Sequence, residues 1–215
     1  MTTLQVNAEL YRNLALIAQD ESMYDKVVKY VRRLAKQMTE DPTCMSKEEY
    51  FAMLDWAIEQ DKYPVAVRIP CNGVIHSDKP ADTDYSSLDK YKITQQGEKI
   101  AILALGDFYQ IGEALAKRIT ETTGTAPTLI NPRYITGTDN ELLGQLKEQH
   151  LVVVTLEDGI LNGGFGEKIA RFYGASDMKV YNYGLKKEFL DRYSVEEVLK
   201  ENHLTPEQIC EDILA

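Results

Sequence analysis

Apolar residues recur in two rhythms along this chain, and the change falls near residue 91. Over residues 1–40 the spacing is helical. Leu10, Leu14 and Ile17 share one face, and after Ser22, which suits an N-cap, Val27, Val31, Leu34 and Met38 share another. Two amphipathic helices this short are marginal alone and need a surface to cover. Asp41-Pro42 ends the pair. Ser46 with Glu49 three residues on forms a capping-box pattern, which predicts a helix through Met53, Leu54 and Ile58. Pro64 to Pro70 reads as a short strand closed by proline. Residues 71–90, with Asn72-Gly73, Lys79-Pro80 and repeated Asp and Ser, read as a linker.

Beyond residue 91, strand and helix patterns alternate. The predicted strands are Tyr91–Thr94, Ile100–Leu105, Thr128–Asn131, Leu151–Leu156 and Lys179–Asn182. The predicted helices cover 109–122, 140–148, 165–173, 194–201 and 206–214. Thr138 with Glu141, and Ser194 with Glu197, repeat the capping-box pattern; Thr205-Pro206 is an N-cap followed by proline at the first helical position. Continuous apolar strands such as Leu151-Val152-Val153-Val154 suit a mostly parallel sheet covered on both faces. The expected class is therefore three-layer α/β, with an N-terminal helical segment over 1–43, a linker and first strand over 77–94, and an α/β domain over 95–215.

Composition narrows the function classes. With 24 Lys and Arg against 34 Asp and Glu, the formal charge is -10, which repels phosphate backbones and argues against a nucleic-acid partner. The basic residues Lys26, Lys29, Arg32, Arg33 and Lys36 fall at helical spacing and read as a solvated face. The tyrosines and Trp56 form no regular stacking series. The three cysteines, Cys44, Cys71 and Cys210, have no CxxC spacing, so neither a disulfide framework nor a zinc site is indicated, and reduced thiols in the cytoplasm fit best. No apolar run is long enough to span a membrane, and the N-terminus lacks a signal-peptide pattern.

Candidate chemistry gathers where strand 151–156 ends. Glu157 and Asp158 sit at the carboxyl end of that strand, where ligands of open α/β sheets collect. Gly163, Gly164 and Gly166 then open a helix whose free amides suit an anion. The spacing is neither the dinucleotide fingerprint nor a P-loop, and a tight turn packing a helix on a sheet is the plainer reading. For Glu157 and Asp158 the plainer reading is hydrogen bonding near the next helix. His76, His150 and His203 lie in different elements with no nearby Ser or Cys nucleophile, so each reads as structural or exposed.

Taken whole, Val154 to Gly166 resembles the "vtvEegvi-GGfG" stretch of transketolase-type C-terminal domains. Ile100–Gly106 is similar to that family's "vailalG" strand, and Asn131-Pro132-Arg133-Tyr134-Ile135 with Asp139 and Leu142-Leu143 to its "RfvkPlDeeLl" stretch. Tyr183-Gly184-Leu185 with Phe189, Ser194 and Leu204 resembles the end of 1-deoxy-D-xylulose-5-phosphate synthases. Glu49 to Pro70 resembles the close of their preceding pyrimidine-binding domain, so 44–76 reads as its remnant. The family's second basic residue after that strand is Cys71 here, and its loop proline is Gly137 or Thr138.

The resemblance implies thiamine diphosphate and magnesium in the full-length enzyme, bound by a GDG…N motif and activated by a glutamate. This chain has no GDG; Gly106-Asp107-Phe108 is the nearest fragment. No cofactor is therefore expected on this chain alone, no catalytic residue and no metal ligand are assigned, and truncation with a substituted N-terminus is expected. Arg68 matches a family arginine that helps hold the acceptor's phosphate, a task suited to a guanidinium fork; an ion pair is the alternative. Three roles remain: a homo-oligomeric assembly domain, a subunit of a split enzyme whose partner chain carries the cofactor-binding domains, and an interaction protein using residues 1–43.

Overall fold

A computed structural model describes residues 27, 46–62, 64–69, 76, 80–190 and 194–215. Contacts divide the chain into two units, Met1–Thr39 and Glu40–Ala215. Of the helical pair expected over residues 1–40 only Val27 is described, as helical, and the Cys71 and Asn72-Gly73 positions lie outside the described residues.

The described chain begins with helix α1 (Lys47–Glu59) and continues through β1 (Lys92–Gln95) and β2 (Lys99–Ala104). A 3-10 turn (Gly106–Phe108) then leads into α2 (Tyr109–Thr123), followed by β3 (Thr128–Asn131), α3 (Asn140–Gln149) and β4 (His150–Ile160). Helix α4 (Phe165–Tyr173), β5 (Lys179–Leu185), α5 (Val195–Glu201) and α6 (Pro206–Leu214) complete it. The strands form one sheet in the order β1-β3-β2-β4-β5. Strands β3, β2, β4 and β5 run parallel, and only β1 is antiparallel, pairing Lys92 with Asn131.

The pleat of β2 sorts its side chains into two cores. Ile100, Ile102 and Ala104 join Leu115 and Ile119 of α2 and Ile209 and Ile213 of α6 on one face. Ala101 and Leu103, with Leu105 just past the strand, join Leu143 and Leu146 of α3 and Phe165, Ile169 and Tyr173 of α4 on the other. That period of two across a central strand is what makes three layers. Each fully buried Leu or Ile contributes about 1.5–3 kcal/mol by leaving water. A third cluster packs Met53 and Trp56 of α1 on Tyr85 and Tyr134.

Local capping sets most boundaries. The Ser46 hydroxyl accepts the Glu49 amide hydrogen at 3.1 Å, and Ser194 with Glu197 forms the complete reciprocal box. Thr205 caps α6, with Pro206 in its first turn. Two expectations need correcting. Helix α3 is capped by Asp139 and not Thr138: the Asp139 carboxylate accepts from Leu142 N at 3.0 Å and from Tyr91 N at 3.1 Å. Its two oxygens satisfy two amides where a threonine hydroxyl satisfies one. Residues 64–69 form no strand; Arg68 alone makes a β-bridge, since a strand needs a partner along its length.

Candidate functional site at the carboxyl edge of the sheet

Strand β4 runs past its last pairing with β2, at Leu156, and delivers Glu157 and Asp158 in succession. Their side chains meet different partners, at a point where the pairing of β4 with β5 shifts register between Leu156 and Ile160. Glu157 is 4% exposed. Its Oε2 accepts the amide hydrogen of Phe165 and its Oε1 that of Gly166, both at 2.8 Å. These are free amides of the first turn of α4, so the carboxylate both fills their valence and meets the positive end of the helix dipole. Burial pushes the Glu157 carboxyl above its ordinary range, and the two amides pull it part of the way back.

The glycines make this approach possible. A Cβ on Gly164 would lie 2.5 and 2.7 Å from the Glu157 oxygens, and one on Gly166 would lie 2.6 Å from Thr155 Oγ1. At the turn's tip, Gly163 N donates to the Glu167 carboxylate at 2.9 Å. The anion anticipated at this helix start is therefore supplied by the chain itself.

On the other side, Asp158 Oδ2 accepts from Arg68 Nη2 at 3.0 Å, joining residues 90 apart in sequence. The two side chains are 26% and 35% exposed, so solvent screens the pair. Asp158 Oδ1 is buried without a hydrogen-bond partner. Asp107, from the 3-10 turn after β2, shares this neighbourhood. Its carboxyl is pushed up by burial and by the charge of Asp158, and drawn down by Arg68. Asp107 was legible only as part of a failed GDG match.

The sheet edge thus brings Glu157, Gly164 and Gly166 into one capping motif and Arg68 with Asp158 into another. Arg133, which sequence reading placed only in a loop motif, lies at the end of β3 with φ +64° and pairs with Asp82 over the Tyr85 ring. Glu49, 3% exposed on α1, receives Asn131 Nδ2 at 3.2 Å. The histidines stay apart. His76 Nδ1 lies 2.5 Å from Glu48, His203 lies 4.0 Å from Asp212, and His150 is buried at the far end of the sheet.

A diphosphate does not fit this edge, because the α4 amides that would receive it already hold a buried carboxylate. Nor, among the described residues, does any group of three His, Cys, Asp or Glu side chains stand ready for a metal ion.

A three-layer α/β domain with a mixed five-stranded sheet and a carboxylate-capped helix at its carboxyl edge is the class defined here. The family model described as the transketolase C-terminal domain matches residues 89–209, and the chain belongs to that family. Its similarity extends to 1-deoxy-D-xylulose-5-phosphate synthases: 26% identity to that of Clostridium tetani over 93% of this chain, and 32% to that of Clostridium botulinum over 87%. The chain covers 32% and 30% of those relatives' lengths. Among solved structures, a split-gene transketolase described as an inactive beta4 tetramer superposes with a TM-score of 0.66 at 20% identity, over 81% of this chain and 56% of that one. A transketolase mutant from Pichia stipitis gives 0.55 at 14% identity, over 80% and 24%. These likenesses are of fold.

Proposed function

We propose that this chain acts as the architectural C-terminal domain of a thiamine-diphosphate enzyme of the 1-deoxy-D-xylulose-5-phosphate synthase kind, assembling the enzyme and catalysing nothing alone. One observation carries the reading: both Glu157 oxygens are committed to the amides of Phe165 and Gly166. The edge where an α/β sheet ordinarily receives a ligand is closed by its own side chains. The split-gene transketolase, an inactive tetramer, supports self-association for a chain of this fold. No described helix is long and apolar enough to cross a membrane, and we place the assembly in the cytoplasm.

A second reading makes this chain the subunit of a split synthase. Arg68 favours it, since its side chain is partly exposed on the same rim. With a partner chain carrying the thiamine-diphosphate domains, Arg68 would hold the phosphate of the aldehyde acceptor by charge-assisted hydrogen bonds.

The purified chain, given pyruvate, glyceraldehyde 3-phosphate, thiamine diphosphate and magnesium, should show no turnover above a protein-free control. Titration calorimetry with the cofactor should show no binding heat. Light scattering at micromolar concentration should give a mass of at least two 24.4 kDa chains. Cofactor-dependent turnover overturns the non-catalytic role, and a monomer mass overturns the assembly role.

A further inference from the structure

The amino edge of the sheet, opposite the site above, holds a buried network that no step so far has used. His150 opens β4 and is 4% exposed. Its Nδ1 lies 3.1 Å from the Leu146 carbonyl, in the last turn of α3, and its Nε2 lies 2.8 Å from Thr128 Oγ1, at the start of β3. The same hydroxyl lies 3.0 Å from both the amide nitrogen and the carbonyl oxygen of Gly97, in the turn that feeds β2. That turn has little room to give, because a Cβ on Gly97 would fall 2.2 Å from the Ala126 carbonyl oxygen.

Counting hydrogens decides what this network can do. Four contacts must be filled. Gly97 N–H supplies one hydrogen and the Thr128 hydroxyl supplies one. A neutral imidazole adds one more and leaves one contact without a hydrogen. An imidazolium adds two and fills all four. The cation also sits at the negative end of α3, where a positive charge is favoured. Burial opposes it and pushes the ring's pKa below its ordinary value, with the Leu146 carbonyl raising it part of the way back. Charged groups on the surrounding elements are Glu98 and Lys99 before and in β2, Lys147 and Glu148 on α3, and Lys179 at the start of β5. All five are exposed, so hydrogen bonding and burial govern the ring.

We propose that His150 and Thr128 form a proton-operated clasp at the amino edge of the sheet. With the ring neutral, Nδ1–H donates to Leu146 and the Thr128 hydroxyl donates to Nε2. With the ring protonated, Nε2–H donates to Oγ1 and the hydroxyl turns to the Gly97 carbonyl. One proton thus rewires the join between the turn before β2, the start of β3 and the end of α3.

Nuclear magnetic resonance of the isotope-labelled full chain between about pH 4 and pH 8 tests this. Above the His150 midpoint the ring should be the Nδ1–H tautomer, and the Gly97 amide shift should follow the same midpoint. Thr128→Val, which keeps the β-branched shape, should lower the midpoint by about half a unit. Thr128→Ser, which keeps the hydroxyl, should leave it in place. An Nε2–H tautomer above the midpoint, a Gly97 amide that ignores the titration, or an unmoved midpoint in folded Thr128→Val each overturns the clasp.

Discussion

Glu157 and Gly166, nine positions apart, meet across the turn into α4, with the carboxylate of one accepting the amide hydrogen of the other at 2.8 Å. Replacing Glu157 with Gln keeps the size but puts an amide NH2 where one of two acceptor oxygens stood. Either the Phe165 or the Gly166 N–H then faces a donor in a buried setting. Glu157→Gln should cost about 1–3 kcal/mol, the cost of a buried unsatisfied group. Urea unfolding should show a lower midpoint with the slope unchanged. A midpoint equal to that of the unaltered chain would remove the capping role.

Gly166→Ala tests the same junction from the helix side. The added methyl would stand 2.6 Å from Thr155 Oγ1 and 2.9 Å from Asn182, and these two are themselves joined by a 2.8 Å hydrogen bond. Alanine is the better helix former by about 1 kcal/mol, so propensity alone predicts a gain. The clash should outweigh it, giving a net loss of about 1–3 kcal/mol. A more stable Gly166→Ala protein in thermal unfolding would show that α4 can retreat from the sheet.

Arg68 and Asp158 form the opposite case. Their pair is partly solvated, so Arg68→Ala should change stability by less than about 1 kcal/mol. Its clearer effect is on Asp107, which loses the cation that draws its carboxyl down. Carboxyl resonances followed through an acid titration should show the Asp107 midpoint rising in Arg68→Ala. An unchanged midpoint would mean that the guanidinium does not act on that carboxyl.

Acid stability follows from His150. Its folded pKa lies below the ordinary 6.5, so the unfolded chain binds the proton more readily. The contribution is fully present above about pH 6.5 and is lost as pH falls toward the folded midpoint. His150→Gln should flatten the dependence of unfolding free energy on pH across that window. A dependence as steep as in the unaltered chain would assign the acid limb to the carboxylates.

Elements were legible where their ends are written locally. Ser194 and Glu197 are three residues apart, and Thr205-Pro206 are adjacent, so the chain announces these helix starts without tertiary help. The burial of Leu103 and Val154 was equally plain from apolar runs. What escaped was non-local. Nothing near Arg68 in sequence points to Asp158, and its segment reads as a strand because apolar alternation does not reveal whether a partner lies alongside. For Glu157, whether the carboxylate faces a ligand or its own helix depends on how far the Gly163-Gly164 turn folds back, which local spacing does not reveal. Thr138 looked like a cap because its spacing to Glu141 fits, while Asp139 won by reaching two amides at once.

The lone antiparallel strand has a consequence for whatever lies upstream. Lys92 pairs with Asn131, the last residue of β3, so the chain arriving at β1 comes in at the rim where the four parallel strands finish. It then travels about 13 Å down β1, at about 3.3 Å per residue, before Gly97 turns it into β2. Had the sheet begun directly with β2, the incoming polypeptide would join at the bottom, beside His150. The reversal acts as a mooring line run back to the quay: α1, Tyr85 and Arg68 are held beside the ends of the parallel strands and not at the opposite rim.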